Sequence, residues 1–417
     1  MRQAHVSISR SAVFFVALLL TFAIPNVVSA LDYGLNLNSR ADVSEDELFA
    51  RNTTSVWLRS VPRPATEELT LHYVLEASVY SEVLSNEWED PEHELYPDFD
   101  FANLTLIIPS FPAERTRSDI TVGRLAASEP TGLIFSDRLD GLSVSLQSSA
   151  FSVDAAFGYT GLFDGRTHGV AFSVDDMTDR NDPDTFSASQ RIIADTTVAL
   201  LRLPGRQIVS IGALGQWDLR EDDPETFGER IDSQYVYLAA DGPIVPSVYH
   251  ETAVAGSYTQ IANDNIEVED DGLGFAARTA LSAYFGADEN SNVDLGARYW
   301  FGAADTAESF RPLSPVSKEL LVVSRQQDAL VTRAAYAYRP FAGRPGAQRL
   351  ELSPYLGAAF ESDLFADDPF AGGEAGLRVS YRPLSDLGTQ LWIAGSNPDG
   401  DFESIEAQGR FELSLSF

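Results

Sequence analysis

Polar and apolar residues alternate one for one along most of this chain. The last seven residues are the clearest case: Phe411, Leu413, Leu415 and Phe417 take one side, and Glu412, Ser414 and Ser416 the other. A period of two marks a strand with one apolar and one polar face. The same pattern predicts about eighteen strands, including segments near 99–110, 119–126, 141–148, 291–301 and 404–417; sixteen or twenty would also fit it. The connections alternate as well. Short ones fall at Val61–Glu68, Gln147–Ala150, Leu203–Arg206, Gly286–Ser291 and Pro383–Leu387. Long acidic ones fall at Leu84–Asp98, Gly161–Ser187, Arg220–Ile231, Ala262–Gly272 and Gly302–Asp328. Short turns at one end and long loops at the other are what a closed antiparallel up-and-down transmembrane β-barrel produces. A soluble sandwich or propeller also has many short strands. It would show a blade-length repeat, which this chain lacks, and loops beyond about twenty residues are unusual there.

The N-terminus reads as a cleaved secretion signal. Arg2 and Arg10 flank its start, Ala12–Ile24 is apolar, and Val28-Ser29-Ala30 supplies small residues before a cut after Ala30. The apolar run is shorter than the ~18–20 residues a spanning helix needs. No later segment reaches that length, so membrane crossing falls to strands. The expected organisation is a signal over 1–30 and one barrel over 31–417.

With this leader, the closing strand ending on Phe417 resembles the last strand of bacterial outer-membrane β-barrels. That resemblance implies an outer-membrane location and an assembly signal formed by Phe411, Leu413, Leu415 and Phe417, read by the barrel insertion machinery. A second, local resemblance runs from Gly123-Arg124 to Asp137-Arg138-Leu139-Asp140-Gly141. It is similar to a pattern in porin-like and alginate-export-like barrels. By strict alternation Arg124 shares a face with Ile120 and Val122, so a bulge near Gly123 would be needed to turn it inward.

Charge narrows the partners. The net charge is −33, with one lysine, Lys318, among 29 basic residues. Such acidity excludes nucleic acid, whose phosphates demand positive charge. The absence of cysteine rules out disulfides and thiolate metal sites. The acids cluster in Glu87–Asp100, Asp175–Asp184, Asp218–Asp232, Asp264–Asp271, Glu361–Asp368 and Asp399–Glu406, which read either as solvated loops or as a negative mouth that concentrates cations. The Asp264–Asp271 cluster has oxygen ligands without EF-hand spacing. No metal or cofactor is implied.

In a barrel this wide, wall side chains do not fill the interior, so the inward face decides function. Alternation in Val293–Phe301 sends Val293, Leu295, Ala297, Tyr299 and Phe301 outward, and Asp294 and Arg298 inward. The same reasoning places Arg59, Arg278, Arg333, Arg378 and Arg410 inside, with Glu76, Asp154, Glu351, Glu374 and Glu412. Aromatics at Tyr299–Phe301, Tyr336, Tyr338, Trp392 and Phe417 are candidates for the interfacial girdles. Histidines are few, and His72 faces inward without a catalytic partner; no hydrolase or phosphate-loop motif is present. The reading is therefore a non-enzymatic, porin-like channel for small hydrophilic solutes or ions. A structural or adhesive barrel and a polysaccharide-type export channel are the alternatives. The oligomeric state, monomer or trimer, stays open.

Overall fold

The computed structural model describes residues 31–44, 47–60, 69–86, 91–162, 170, 176, 189–219, 230–262, 268–286, 290–301, 310–314, 329–341, 349–361, 370–397 and 405–417. The expected signal, 1–30, lies outside these residues, as do the turn 61–68, the first half of Asp264–Asp271 and most of Gly302–Asp328.

Among the described residues, eighteen strands form one sheet. They are β1 (Leu31–Val43), β2 (Glu47–Ser60), β3 (Thr70–Asn86), β4 (Glu92–Pro109), β5 (Arg117–Ser128) and β6 (Ser136–Gln147). Then come β7 (Phe151–Tyr159), β8 (Arg191–Leu200), β9 (Ile208–Asp218), β10 (Arg230–Val245), β11 (Val248–Ala262) and β12 (Val268–Phe285). The last six are β13 (Ser291–Phe301), β14 (Ala329–Tyr338), β15 (Leu350–Glu361), β16 (Phe370–Tyr381), β17 (Leu387–Asn397) and β18 (Glu406–Ser416). Each pairs antiparallel with its neighbour in the chain, and β1 pairs with β18 to close the barrel, Asn36 opposite Ser416 and Val43 opposite Gly409. Reciprocal backbone bonds between Leu35 and Phe417 finish the seam at 3.1 and 2.9 Å. Closure removes both sheet edges, which a strand-built membrane wall requires. No helix among the described residues is long and apolar enough to cross a membrane.

The pleat sorts the side chains. On β10, Val236 and Leu238 are exposed on the outer face while Ser233, Tyr235 and Tyr237 are buried on the inner one. Exposed Val56, Phe157, Ile211, Leu273, Leu356 and Ile393 continue the apolar outer surface around the wall. Near the turns at one end, Phe285, Tyr336 and Tyr338 stack outward at centroid spacings of 6.1 and 6.4 Å, where an interfacial girdle belongs. Trp300 and Trp392 depart from the girdle expectation. Each shares the inner face with its strand's polar residues, Trp300 with Asp294 and Arg298, and Trp392 opposite Arg378 and Arg410.

The acidic stretch expected as a loop at Glu87–Asp100 is largely strand, since β4 begins at Glu92. Its last two carboxylates, Asp98 and Asp100, pair with Arg138 at 2.9 and 2.6 Å, and the adjoining β3 carboxylate Glu82 is paired as well. Tyr96 donates its hydroxyl to Glu82 at 2.6 Å, Arg51 pairs with the same carboxylate, and the Tyr80 and Tyr96 rings stack at 5.3 Å. Paired carboxylates need no solvated loop.

Candidate permeation pathway

One hairpin leaves the wall. β5 pairs with β4 only as far as Arg124, opposite Ala102, and β6 pairs with β7 only from Asp140, opposite Tyr159. The β5–β6 ladder itself continues to Ser128 opposite Ser136. Residues 125–139 are therefore a hairpin whose backbone ladder joins the wall at its base alone, and it folds into the lumen. The bend sits at a cross-strand pair of glycines, Gly123 and Gly141. Gly123 has φ +119°, and a Cβ there would meet the Ala102 carbonyl oxygen at 2.1 Å. A Cβ on Gly141 would meet the Phe157 carbonyl oxygen at the same 2.1 Å. Only residues without a side chain permit both the backbone conformation and the approach.

The bend reverses the faces. Val122 is 55% exposed outside the barrel, whereas Arg124, two residues on, is 2% exposed within it. Arg124 thus turns inward through a positive-φ glycine, without the bulge that strict alternation required and without a register shift in the β4–β5 ladder. Arg124 lies 3.5 Å from Asp98 and 3.4 Å from Asp140. Arg138 reaches Asp98 at 2.9 Å and Asp100 at 2.6 Å, and Asp100 also accepts from Ser78 and from Tyr80 at 2.9 Å. A register shift between Glu76 and Ala77 leaves Asp100 as the extra residue of a bulge, so Asp98 and Asp100 both face inward.

The hairpin tip is buried. Leu133, Ile134 and Phe135 pack with Phe310 and Leu313 against Ile193, Leu214, Ile231 and Tyr235 of the wall. Phe310 meets Tyr235 edge-on at 5.8 Å. The backbone of Leu313 donates to Ile134 at 2.8 Å, Ser136 donates its amide to Ser314 Oγ at 2.7 Å, and Tyr235 donates to the Arg311 carbonyl at 2.7 Å. Of the long Gly302–Asp328 connection, residues 310–314 thus fold into the lumen. Hairpin and segment together fill the side of the lumen next to β8–β12 with a dry core.

The other side is open. Two cavities of ≈ 690 and ≈ 710 Å³ share Asn38, Arg382, Gly388 and Ser414 in their linings, so they join along β15–β18 and β1–β3. A smaller cavity of ≈ 240 Å³ lies beside the hairpin, lined by Asp154 and Asp195.

The expected inward residues distribute over these regions. Arg378 and Arg410 flank the Trp392 ring at 5.8 and 5.6 Å. Arg378 also lies 3.4 Å from Glu351, and Arg410 pairs with Asp42 at 2.6 Å. Arg333 covers Tyr355 at 5.2 Å, and Tyr355 bonds Glu374. Arg278 and Arg298 face each other in register. Direct like-charge neighbours repel; here Arg278 lies 3.3 Å from Glu251, and Arg298 covers Trp300 at 5.1 Å. Arg298 and Glu374 face inward yet are buried, so they brace the wall beneath the surface that water reaches. Arg59 pairs with Asp32 at 2.7 Å, and Asp294 accepts from Ser282 at 2.6 Å. Glu76 lines the larger cavity with Arg138, and Glu412 lines its neighbour. His72 sits opposite Thr105, on the face that carries Glu76. On β18, Phe411 and Phe417 are exposed on the outer face.

A search of solved structures places this architecture. No protein-family model matches the chain, and no curated protein does. Among solved structures it is similar to OccK5 (OpdH) of Pseudomonas aeruginosa, at TM-score 0.59 and 12% identity over 94% of this chain and 99% of that one. It is also similar to OccK9 (OpdG) of the same organism, at TM-score 0.59 and 13% identity over 94% and 99%. OccAB3 of Acinetobacter baumannii follows, at TM-score 0.57 and 11% identity over 94% and 100%. The shared fold is a closed antiparallel β-barrel. At such identities the likeness speaks for the fold, and function has to come from the lumen itself.

Asp98, Asp100, Arg138 and Asp140 were not among the residues assigned inward from the sequence. Strict alternation fails at the Asp100 bulge and again at Gly123 and Gly141, so it cannot carry a face assignment across either. The one available signal was the Gly-Arg and Asp-Gly pair at 123–124 and 140–141, whose two glycines the ladder brings face to face.

Proposed function

We propose that this chain is an outer-membrane channel for passive diffusion of small hydrophilic solutes, with no enzymatic role. The adjacent pair of cavities, lined mostly by polar and charged residues, carries this reading. The solute would descend off-centre, between the hairpin's Arg138–Asp100 side and the β15–β18 wall bearing Arg378, Glu351 and Glu412. Both signs of charge line that route, so solvated dipolar and charged solutes can exchange water for wall contacts. Arg59, Glu76, Arg278, Arg333 and Arg410 would contribute from the same inner face, with Asp154 and Asp294 outside the main route. Phe411, Leu413, Leu415 and Phe417 would serve insertion through their lipid-facing side.

The net charge of −33 adds a long-range bias toward cations at the mouths. Purified barrel in planar bilayers should therefore give ohmic current steps with a modest cation preference at tens of millimolar salt. That preference should fade by ~1 M, where the Debye length is about 3 Å. Persistent anion selectivity at low salt would assign selectivity to the arginines instead. Absence of current would favour a structural barrel.

A further inference from the structure

We infer that Glu129 is the positioning residue that sets the size limit of this channel, an inference that rests on the diffusion-channel reading. Glu129 is buried at the base of the hairpin tip. Its carboxylate accepts backbone N–H groups from Thr131, Gly132 at 3.2 Å, Leu133 at 2.8 Å, Ile134 at 2.8 Å and Phe135 at 3.5 Å. Its own amide donates to the Phe135 carbonyl at 3.2 Å, closing the turn. Five amides converging on one anion make a nest whose donors have no helix or ladder to bond with.

The rest of the tip depends on that nest. It presents Leu133 and Ile134 to the dry core and turns the Ile134 carbonyl toward Leu313 and Ser314. The ladders of the wall strands do not depend on it, because the backbone of residues 125–139 makes no strand pairing with β4 or β7. Glu129 therefore controls how much of the lumen is filled without holding the barrel closed.

Glutamine has nearly the same shape but offers one acceptor oxygen and turns an NH₂ donor toward the amide donors. Glu129→Gln should release the tip, raise single-channel conductance at least ~twofold, and admit larger polyethylene glycols, since an eighteen-strand lumen is too wide for wall side chains to fill. Thr131→Pro, which deletes one of the donated amides, serves as the second variant and should shift conductance the same way. Because the chain has no cysteine, Ser136→Cys with Ser314→Cys can lock the tip to its docking segment. Added to Glu129→Gln, the oxidised lock should restore the wild-type conductance and size limit, and reduction should remove them. Folded barrel is confirmed in each case by heat-modifiable gel mobility.

Wild-type conductance and size limit in both Glu129→Gln and Thr131→Pro would overturn the inference while leaving the channel reading intact. Current in Glu129→Gln with none in wild type would support the latch and contradict an open resting channel. Silence in wild type and both variants would overturn both.

Discussion

Gly123→Val is expected to abolish the folded barrel, leaving protease-sensitive protein without heat-modifiable mobility. At φ +119° a branched side chain is strained by roughly 1–3 kcal/mol before any contact is counted. Its Cβ would also lie 2.1 Å from the Ala102 carbonyl oxygen, backbone that the β4–β5 ladder holds in place. The hairpin cannot then bend inward at its base. Gly256→Ala is the matched control. Its Cβ would find nothing closer than 3.9 Å, and folded yield should stay at the wild-type level. Equal folding of the two variants would show that the bend does not depend on Gly123.

Asp98→Ala is expected to be the most damaging change among the inward charges. Asp98 is fully buried and is shared by Arg124 at 3.5 Å and Arg138 at 2.9 Å. Removing one partner from a buried charge cluster costs about 3–5 kcal/mol, because the remaining charges stay desolvated. Glu412→Ala, on the water-reached side of the lumen, should stay within about 0.5 kcal/mol of wild type. Urea unfolding in lipid vesicles measures both. Similar midpoints would mean that water reaches the Asp98 cluster, and that the hairpin does not seal it.

The strands were legible because a lipid-facing wall imposes its period on every segment. The segment Val293–Phe301 lies within β13, and the strand count follows from the same rule. The lumen's contents were not legible, because nothing in the local pattern says that a hairpin leaves its neighbours. The Gly123–Gly141 pair becomes informative only once the two strands are in register. Trp300 shows a subtler loss. It sits between Tyr299 and Phe301 in sequence but on the opposite face, so grouping the three aromatics as a girdle overrode the alternation that placed Arg298 inside. Glu129 gave no signal at all, since five backbone amides are invisible in a sequence.

Substituted-cysteine block of single-channel current tests the central claim most directly, that the open route runs beside β15–β18 and β1–β3 while the β8–β12 side is filled. Asn38 and Ser414 face each other across the seam and line both joined cavities. Ser233 and Ser257 are buried on the filled side. With a membrane-impermeant, charged thiol reagent, Asn38→Cys and Ser414→Cys should lose current in discrete steps, whereas Ser233→Cys and Ser257→Cys should be unaffected. Block at Ser233→Cys or Ser257→Cys, with none at Asn38→Cys or Ser414→Cys, would contradict the off-centre route.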